Sequence, residues 1–362
     1  MNTTEYYLAF SHFLGIGPMR FKDLLTQYHT LAVAYAAPLS ELEEVIGVGI
    51  AAKFQKFRNS FSPREKLREL YKKNIQVITR EDPLFPPQLL EIPDPPICLY
   101  VKGDMTKFNF ESDFFMGIVG TRMPTSYGAQ LTSRFSRELV ENGAVIVSGM
   151  AMGVDAIAHM KALDAGGCTI AFLGCGVDVV YPLQNRSLYE RIISQKGLVI
   201  SEFPPGMTVQ KGLFVARNRL ISGLSQGVLV VEGGVNSGSL ITARYAAIQG
   251  KDVFAPPVPL TSSLSEGPNI LLKSGATLVT KVDDILETYQ KKPVAPLPKP
   301  LPQLSMEERS IIDALRREDQ DSNDLSHLLG VSITKLLPTL SLLEIKGLII
   351  NAGGGKYRLK SR

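Results

Sequence analysis

The sequence predicts an α/β protein whose central part is a parallel sheet covered by helices on both faces. Three observations carry this expectation. Between Phe114 and Phe254, apolar runs of strand length alternate with helical patterns. The runs are nearly continuous rather than alternating apolar with polar, as strands buried on both faces must be. Gly, Ser, Thr and Arg collect just after these runs, at the carboxyl ends where open α/β sheets place their ligands.

The elements follow in order. Residues 1–62 read as short helices punctuated by Gly15-Ile-Gly17 and Gly47-Val-Gly49. Two helix–GxG–helix units of this kind resemble a pair of helix-hairpin-helix motifs (a SAM-like helical domain). Such a turn exposes N–H groups at the next helix start and can hold one DNA phosphate without reading sequence. A packed α-hairpin bundle that touches no DNA fits the same residues. Residues 63–110 form an extension: a charged helix Arg64–Lys73, a strand at Ile75–Ile78, a proline-rich stretch, and a strand at Ile97–Val101.

The core, residues 111–290, has strands at Phe115–Val119, Ala144–Val147, Thr169–Leu173, Leu198–Ile200, Val228–Val231 and Asp252–Phe254. Helices are expected at Tyr127–Glu141, Val154–Leu163, Ser187–Ser194 and Leu240–Ile248. Residues 291–304, with Pro293, Pro296, Pro298, Pro300 and Pro302, read as an extended linker. In residues 305–362, Ser305 and Glu308 have capping-box spacing, and three helices precede a hairpin at Leu348–Leu359. That order resembles a winged helix. Its third helix carries Lys335 as the only base before Lys346, so protein contact and DNA binding stay equally open.

Composition narrows the function classes. At 362 residues two or three domains are expected, with 44% hydrophobic residues to fill their cores. A net charge of +4 leaves any nucleic-acid role to local placement of charge. Met1-Asn-Thr-Thr-Glu-Tyr-Tyr lacks the basic start and apolar core of a signal peptide, and no apolar run approaches the ~20 residues of a membrane span. Cys98, Cys168 and Cys175 show no CxxC spacing and read as reduced thiols of a cytoplasmic protein. The four histidines show no metal spacing, so no metal is expected.

Enzyme motifs fail one by one. The first strand ends in Gly120-Thr-Arg-Met-Pro124 rather than G-x-G-x-x-G, and there is no GxxxxGK[ST] and no G-x-S-x-G elbow. No cofactor is expected. One enzymatic alternative remains: Glu232-Gly-Gly-Val-Asn-Ser-Gly238 resembles the glycine loop of nucleotide phosphoribohydrolases. It lacks their following carboxylate, a role that only Glu232 could take. Otherwise Glu232 serves as partner to an arginine such as Arg217 or Arg219.

A binding role fits the residues better. Lys211-Gly-Leu-Phe-Val-Ala-Arg-Asn-Arg219 concentrates cations, an aromatic ring and an asparagine, read as an exposed loop at its start. Arg122 and Lys211 can each neutralise a phosphate. Phe214 can stack on a base without regard to sequence, although a core position fits it too. Asn218 can bond phosphate or sugar, and one of Arg217 and Arg219 is expected to be a buried ion-pair partner. The glycine turns Gly120-Thr121, Ser148-Gly149 and Ser237-Gly238-Ser239 offer N–H and hydroxyl groups to phosphates.

Ordered stretches then specify a family. They are Val119-Gly-Thr-Arg122, Ser148-Gly-Met-Ala-Met-Gly-Val-Asp155, Leu173-Gly-Cys-Gly-Val-Asp178 with Tyr181-Pro182 and Asn185, Ile200–Gly206, Phe214 with Arg217-Asn-Arg219, and Ser237–Ala243. Over essentially its full length the chain resembles the DNA-processing protein A family (DprA, also called Smf). The resemblance implies an extended Rossmann-like domain that binds single-stranded DNA, protects it, dimerises, and loads RecA onto the strand during natural transformation. It assigns DNA contacts to Arg122, Lys211, Phe214, Arg217 and Asn218. Val215 stands where the family usually has proline, and Met150 and Met152 replace small and basic residues. An apolar edge of the Rossmann-like domain near Ile241–Val253 is the expected homodimer contact.

Overall fold

The computed structural model describes residues 1–291, 304–316, 318–346, 348–353 and 355–359. They fall into two compact units, Met1–Val294 and Ala295–Arg362.

Six helices open the first unit: α1 Thr3–His12, α2 Pro18–Tyr28, α3 Leu31–Ala36, α4 Leu39–Ile46, α5 Val48–Ser60 and α6 Pro63–Lys72. Asn2 and Glu5 close a capping box on α1, each bonding the other's backbone N–H at 2.8 and 3.0 Å. Between α4 and α5, Gly47 takes φ 85°, a conformation that a side chain resists. Phe10, Phe21 and Phe54 fill the centre, with the Phe10 and Phe54 rings stacked at 5.5 Å.

The sheet follows. β1 (Gln76–Thr79) and β2 (Cys98–Gly103) pair antiparallel; β3 (Phe114–Val119), α7 (Ser126–Glu141), β4 (Ala144–Ser148), α8 (Val154–Asp164), β5 (Thr169–Phe172), α9 (Arg186–Ser194) and β6 (Gly197–Ser201) come next. Then come α10 (Lys211–Leu224), β7 (Gly227–Val230), α11 (Gly238–Ile248), β8 (Asp252–Ala255), α12 (Glu266–Lys273), β9 (Thr277–Leu278) and α13 (Val282–Thr288). All nine strands share one sheet, ordered β1-β2-β6-β5-β4-β3-β7-β8-β9, antiparallel only where β2 meets β1 and β6. One face buries Leu220, Ile221, Leu224, Ala243 and Ala246 from α10 and α11. The other buries Phe135 and Leu139 of α7, Ala158 and Ala162 of α8, and Ile285 and Leu286 of α13. This is a mixed α/β, Rossmann-like architecture with a helical N-terminus.

The chain winds outward from β3 through β4, β5 and β6, then returns to β3's other side with β7, β8 and β9. At such a reversal the loops after β3 and β7 diverge, and a crevice opens above the carboxyl ends of the strands.

Two sequence expectations change here. The boundary at residue 62 has no counterpart in packing: Leu8, Phe10 and Leu24 share one core with Val77, Cys98 and Tyr100 of β1 and β2. The Tyr100 hydroxyl lies 2.9 Å from both Ser11 Oγ and His12 Nδ1 of α1. The second change is α10, a helix of 14 residues where an exposed loop was expected at Lys211.

In the second unit α14 (Met306–Leu315), β10 (Gln320–Asp321), α15 (Ser322–Leu329), α16 (Ile333–Ile345), β11 (Ile349–Gly353) and β12 (Lys356–Leu359) form a winged helix. Ser305 and Glu308 make the expected capping box, and Ile311, Leu325, Leu336, Leu340 and Ile349 form its core. Residues 292–303, most of the expected linker, and Gly354 of the expected glycine turn lie outside the described residues. Among the described residues no single helix is long and apolar enough to cross a membrane.

Candidate nucleic-acid interface

The crevice at the β3/β7 reversal holds an open cavity of about 710 Å³. Two turns and one helix bring candidate residues to it: Gly120, Thr121 and Arg122 after β3, Ser237, Gly238 and Ser239 at the start of α11, and Lys211, Phe214, Arg217 and Asn218 of α10. Ten of the twelve candidate residues therefore meet in one place. Gly149 lines a smaller recess beside it, with Arg122 and Phe214. Ser148 lines neither: it is fully buried and its hydroxyl donates to the Ile118 carbonyl at 2.6 Å.

Arg122 and Lys211 are the exposed cations. The guanidinium of Arg122 lies over the ring of half-buried Phe214, and Tyr181 stands against the same ring at 5.4 Å between centroids. Gly174, after β5, is where the chain passes under Phe214; a Cβ there would come within 2.8 Å of the ring. Tyr181 is the residue that sequence reasoning did not place in the site. The cue was present, since an aromatic beside Pro182 in the loop after a β5-type strand sits at the ligand end of the sheet.

Arg217 has a different part. It is 4% exposed, and its Nη1 donates to the carbonyls of Gly149, at 2.6 Å, and Phe172. A Cβ on Gly149 would lie 2.6 Å from the guanidinium, so any side chain there would have to displace Arg217. Burial lowers the Arg217 pKa to about 10, against the pull of the buried carboxylate Asp155. Asp155 in turn accepts from the N–H groups of Gly149 at 3.1 Å and Ala151 at 3.3 Å. Its own pKa is raised by desolvation, which outweighs Arg217 and those N–H groups.

The expectation that the Ser148-Gly149 turn offers N–H groups to a phosphate is thereby corrected, because the Gly149 N–H is already taken by Asp155. Likewise the Thr121 N–H is engaged, donating to the Glu232 carbonyl at 2.7 Å. Arg219 is the buried ion-pair partner. It is 2% exposed and bonds Asp94 at 2.7 Å and both oxygens of Glu202 at 2.5 and 2.7 Å.

Asn218 ties the walls together: its Nδ2 donates to the Gly238 carbonyl at 3.2 Å and its Oδ1 accepts from Arg217 Nε at 3.3 Å. Ser237 caps α11 through the Ser239 N–H, and the two hydroxyls lie 2.7 Å apart. Glu232 is not an arginine partner. Its carboxylate accepts from the Thr125 N–H at 2.9 Å and hydroxyl at 2.6 Å, holding the start of α7. A Cβ on Gly128 would strike it at 2.2 Å.

Comparison with known families decides the lineage. The model of DNA recombination-mediator protein A matches residues 76–290, the sheet and its crevice, and the DprA winged helix domain matches residues 295–355. The chain belongs to the DNA recombination-mediator protein A family. It is 34% identical to Protein Smf of Synechocystis over 98% of each chain. With the DNA processing protein DprA of Streptococcus pneumoniae it shares 43% identity over 58% of this chain and 72% of that one. Among solved structures, S. pneumoniae DprA matches with a TM-score of 0.69 and 35% identity, over 79% of this chain and 98% of that one. A Helicobacter pylori DprA, whose structure addresses its single-stranded DNA binding mode, matches with a TM-score of 0.53 and 38% identity over 60% and 96% of the chains. The DprA family membership accounts for both units, sheet and winged helix, in one chain.

Proposed function

We propose that the protein binds single-stranded DNA in the crevice above β3, β4, β5 and β7, and acts there as a recombination mediator. In this reading Arg122 and Lys211 neutralise phosphates, Phe214 stacks on a base, and Asn218 with the Ser237-Gly238-Ser239 turn supplies neutral donors. The bound strand is protected and handed to RecA by a cytoplasmic homodimer paired through the Rossmann-like domain, near Ile241–Val253. The observation that carries the reading is the packing of Arg122, Phe214 and Tyr181 around one open cavity shared with Lys211. Cations beside partly exposed rings suit a single strand, which offers phosphates and unpaired base faces together.

The protein works without catalysis in this reading. The phosphoribohydrolase-like alternative asks Glu232 for a free carboxylate, and both its oxygens are engaged by Thr125. The H. pylori relative's single-strand binding mode supports the same assignment.

The test is fluorescence anisotropy with labelled single strands and with duplex of equal length, followed by RecA filament formation on the bound strand. Tighter binding of the single strand and faster RecA assembly are expected. Equal affinity for duplex, or no effect on RecA, would contradict the reading.

A further inference from the structure

We propose that helix α6 and the recess beside it form a second nucleic-acid site, outside the crevice. Arg64, Arg68 and Lys72 follow a phosphate backbone there, and Tyr71, Asn74 and Lys102 receive one nucleotide unit. The proposal rests on the single-strand reading above for the identity of the polymer and uses none of the crevice residues.

The first observation is a row of unpaired cations. Arg64, Arg68 and Lys72 are exposed and stand four residues apart on α6, with about 6 Å of helix rise between neighbours. Among the described residues the ion pairs of α6 are Lys66–Glu69 and Lys73–Glu69, so none of the three has an acidic partner. Glu65 and Glu69, each one residue on from an arginine, stand on the adjoining flank of the helix. Like charges four residues apart destabilise a helix. Arg64 is also the second residue of α6, beside the positive end of the helix dipole. The row therefore works against the helix that carries it, and a bound polyanion offsets that cost.

The second observation is where the row leads. Tyr71, 53% exposed and on the same face of α6, enters an open recess of about 400 Å³ with Lys73, Asn74, Gln76 and Lys102. Lys73 is held by Glu69 at 2.7 Å, whereas half-buried Lys102 has no hydrogen bond or ion pair among the described residues. Asn74 takes φ 53° in the turn that ends α6, where its N–H donates to the Tyr71 carbonyl and its side-chain amide has no partner among the described residues. Gly103, at the edge of the recess, pairs with Leu198 at the start of β6. The recess thus lies toward the amino ends of the parallel strands, whereas the crevice lies above their carboxyl ends. A cation without an acid, a free amide and an exposed ring match the phosphate, base edge and base face of one nucleotide. An anionic lipid surface meets the cation row but leaves the recess unused.

The test is isothermal calorimetry of the full-length chain with a short oligothymidylate at low salt. A tight site and a second, weaker site per chain are expected. Joint replacement Arg64→Gln, Arg68→Gln and Lys72→Gln should remove the weaker site and leave the tight one. The weaker site should show a slope of about −2 in log affinity against log salt, three cations at about −0.7 each. Tyr71→Ala should weaken it roughly five- to a hundredfold, the range that base stacking supplies. Thermal melting checks folding, and Lys102→Gln, on β2, repeats the test should the triple variant melt early. Thymidine monophosphate meets only the recess, so its emptying the weaker site would overturn the polymer assignment. Phosphatidylglycerol vesicles bound by wild type and not by the triple variant, with strand stoichiometry unchanged, would give the row to a lipid surface and overturn the proposal. One strand per chain in wild type, lost in Lys211→Ala, would overturn the second site and leave the crevice reading standing. A tight site that survives Lys211→Ala and is lost in the triple variant would overturn the crevice reading and keep this one.

Discussion

The guanidinium of Arg122 lies over the ring of Phe214, its Cζ 5.8 Å from the ring centroid. The pair joins the loop after β3 to helix α10 across the mouth of the crevice. A cation over an aromatic face is attracted by the ring quadrupole, by about 0.5–1 kcal/mol at an exposed site. In the proposed binding mode Phe214 would both offer a stacking face and steady the Arg122 cation. Phe214→Ala should lose the base stack and release Arg122, weakening single-strand binding by about 1–3 kcal/mol. Phe214→Tyr should retain most of it. Anisotropy titration checks the affinity, and an unchanged Phe214→Ala affinity would remove the ring from the site.

Arg217 should behave as a residue of the fold. Its guanidinium is enclosed by the Gly149 and Phe172 carbonyls, so truncation leaves buried acceptors and the Asp155 carboxylate without their cation. Arg217→Ala is expected to cost about 3–5 kcal/mol of stability, the range for breaking a buried charged contact. Gly149→Ala should cost about 1–3 kcal/mol by crowding the same group. Urea denaturation reads both, as a lower midpoint with the slope preserved. Loss of DNA binding in these variants without loss of stability would return Arg217 to a direct contact.

The strands and glycine turns were legible because an interior strand admits few residue types and a turn demands glycine. Helix α10 was not. It lacks a side-chain cap, carries Gly212 and β-branched Val215 early, and from Arg217 to Leu224 is buried on every side. A helix enclosed all round has no polar stripe to reveal its period. The same enclosure hid the split between Arg217 and Arg219, since burial of a cation depends on carbonyls and carboxylates distant in sequence. Phe214 and Lys211 stood out as a ring and a cation close together in one short stretch, whereas Tyr181 carried only the weaker cue of its place beside Pro182 after a strand end.

Stability should fall with acidification. Burial, helped by Arg217, holds the His159 pKa at about 3, well below the ordinary 6.5, with Nδ1 2.6 Å from Thr169 Oγ1. Burial likewise holds His12 at about 4. A histidine whose folded pKa is depressed favours the fold fully above 6.5 and loses that contribution as pH falls toward the folded value. At pH 5 the loss from His159 alone reaches about 2 kcal/mol. Urea midpoints at pH 7.5 and pH 5 should differ accordingly, and His159→Gln should flatten the difference. A midpoint independent of pH would contradict the burial of these rings.

Glu232 should prove a helix-capping group. Glu232→Gln loses an acceptor for Thr125 and the negative charge at the start of α7, a cost of about 1–2 kcal/mol. Incubation with nucleoside monophosphates should release no free base from either protein. Base release by wild type that Glu232→Gln abolishes would revive the hydrolase reading.

The most direct measurement is a salt titration of single-strand binding for wild type and Lys211→Ala. Counterion release sets a slope of about −0.7 in log affinity against log salt per neutralised phosphate. Tight binding by wild type, with the Lys211→Ala slope flatter by about that amount, is the result predicted for a strand lying in the crevice. An unchanged slope in Lys211→Ala, or no binding by wild type at low salt, would contradict it.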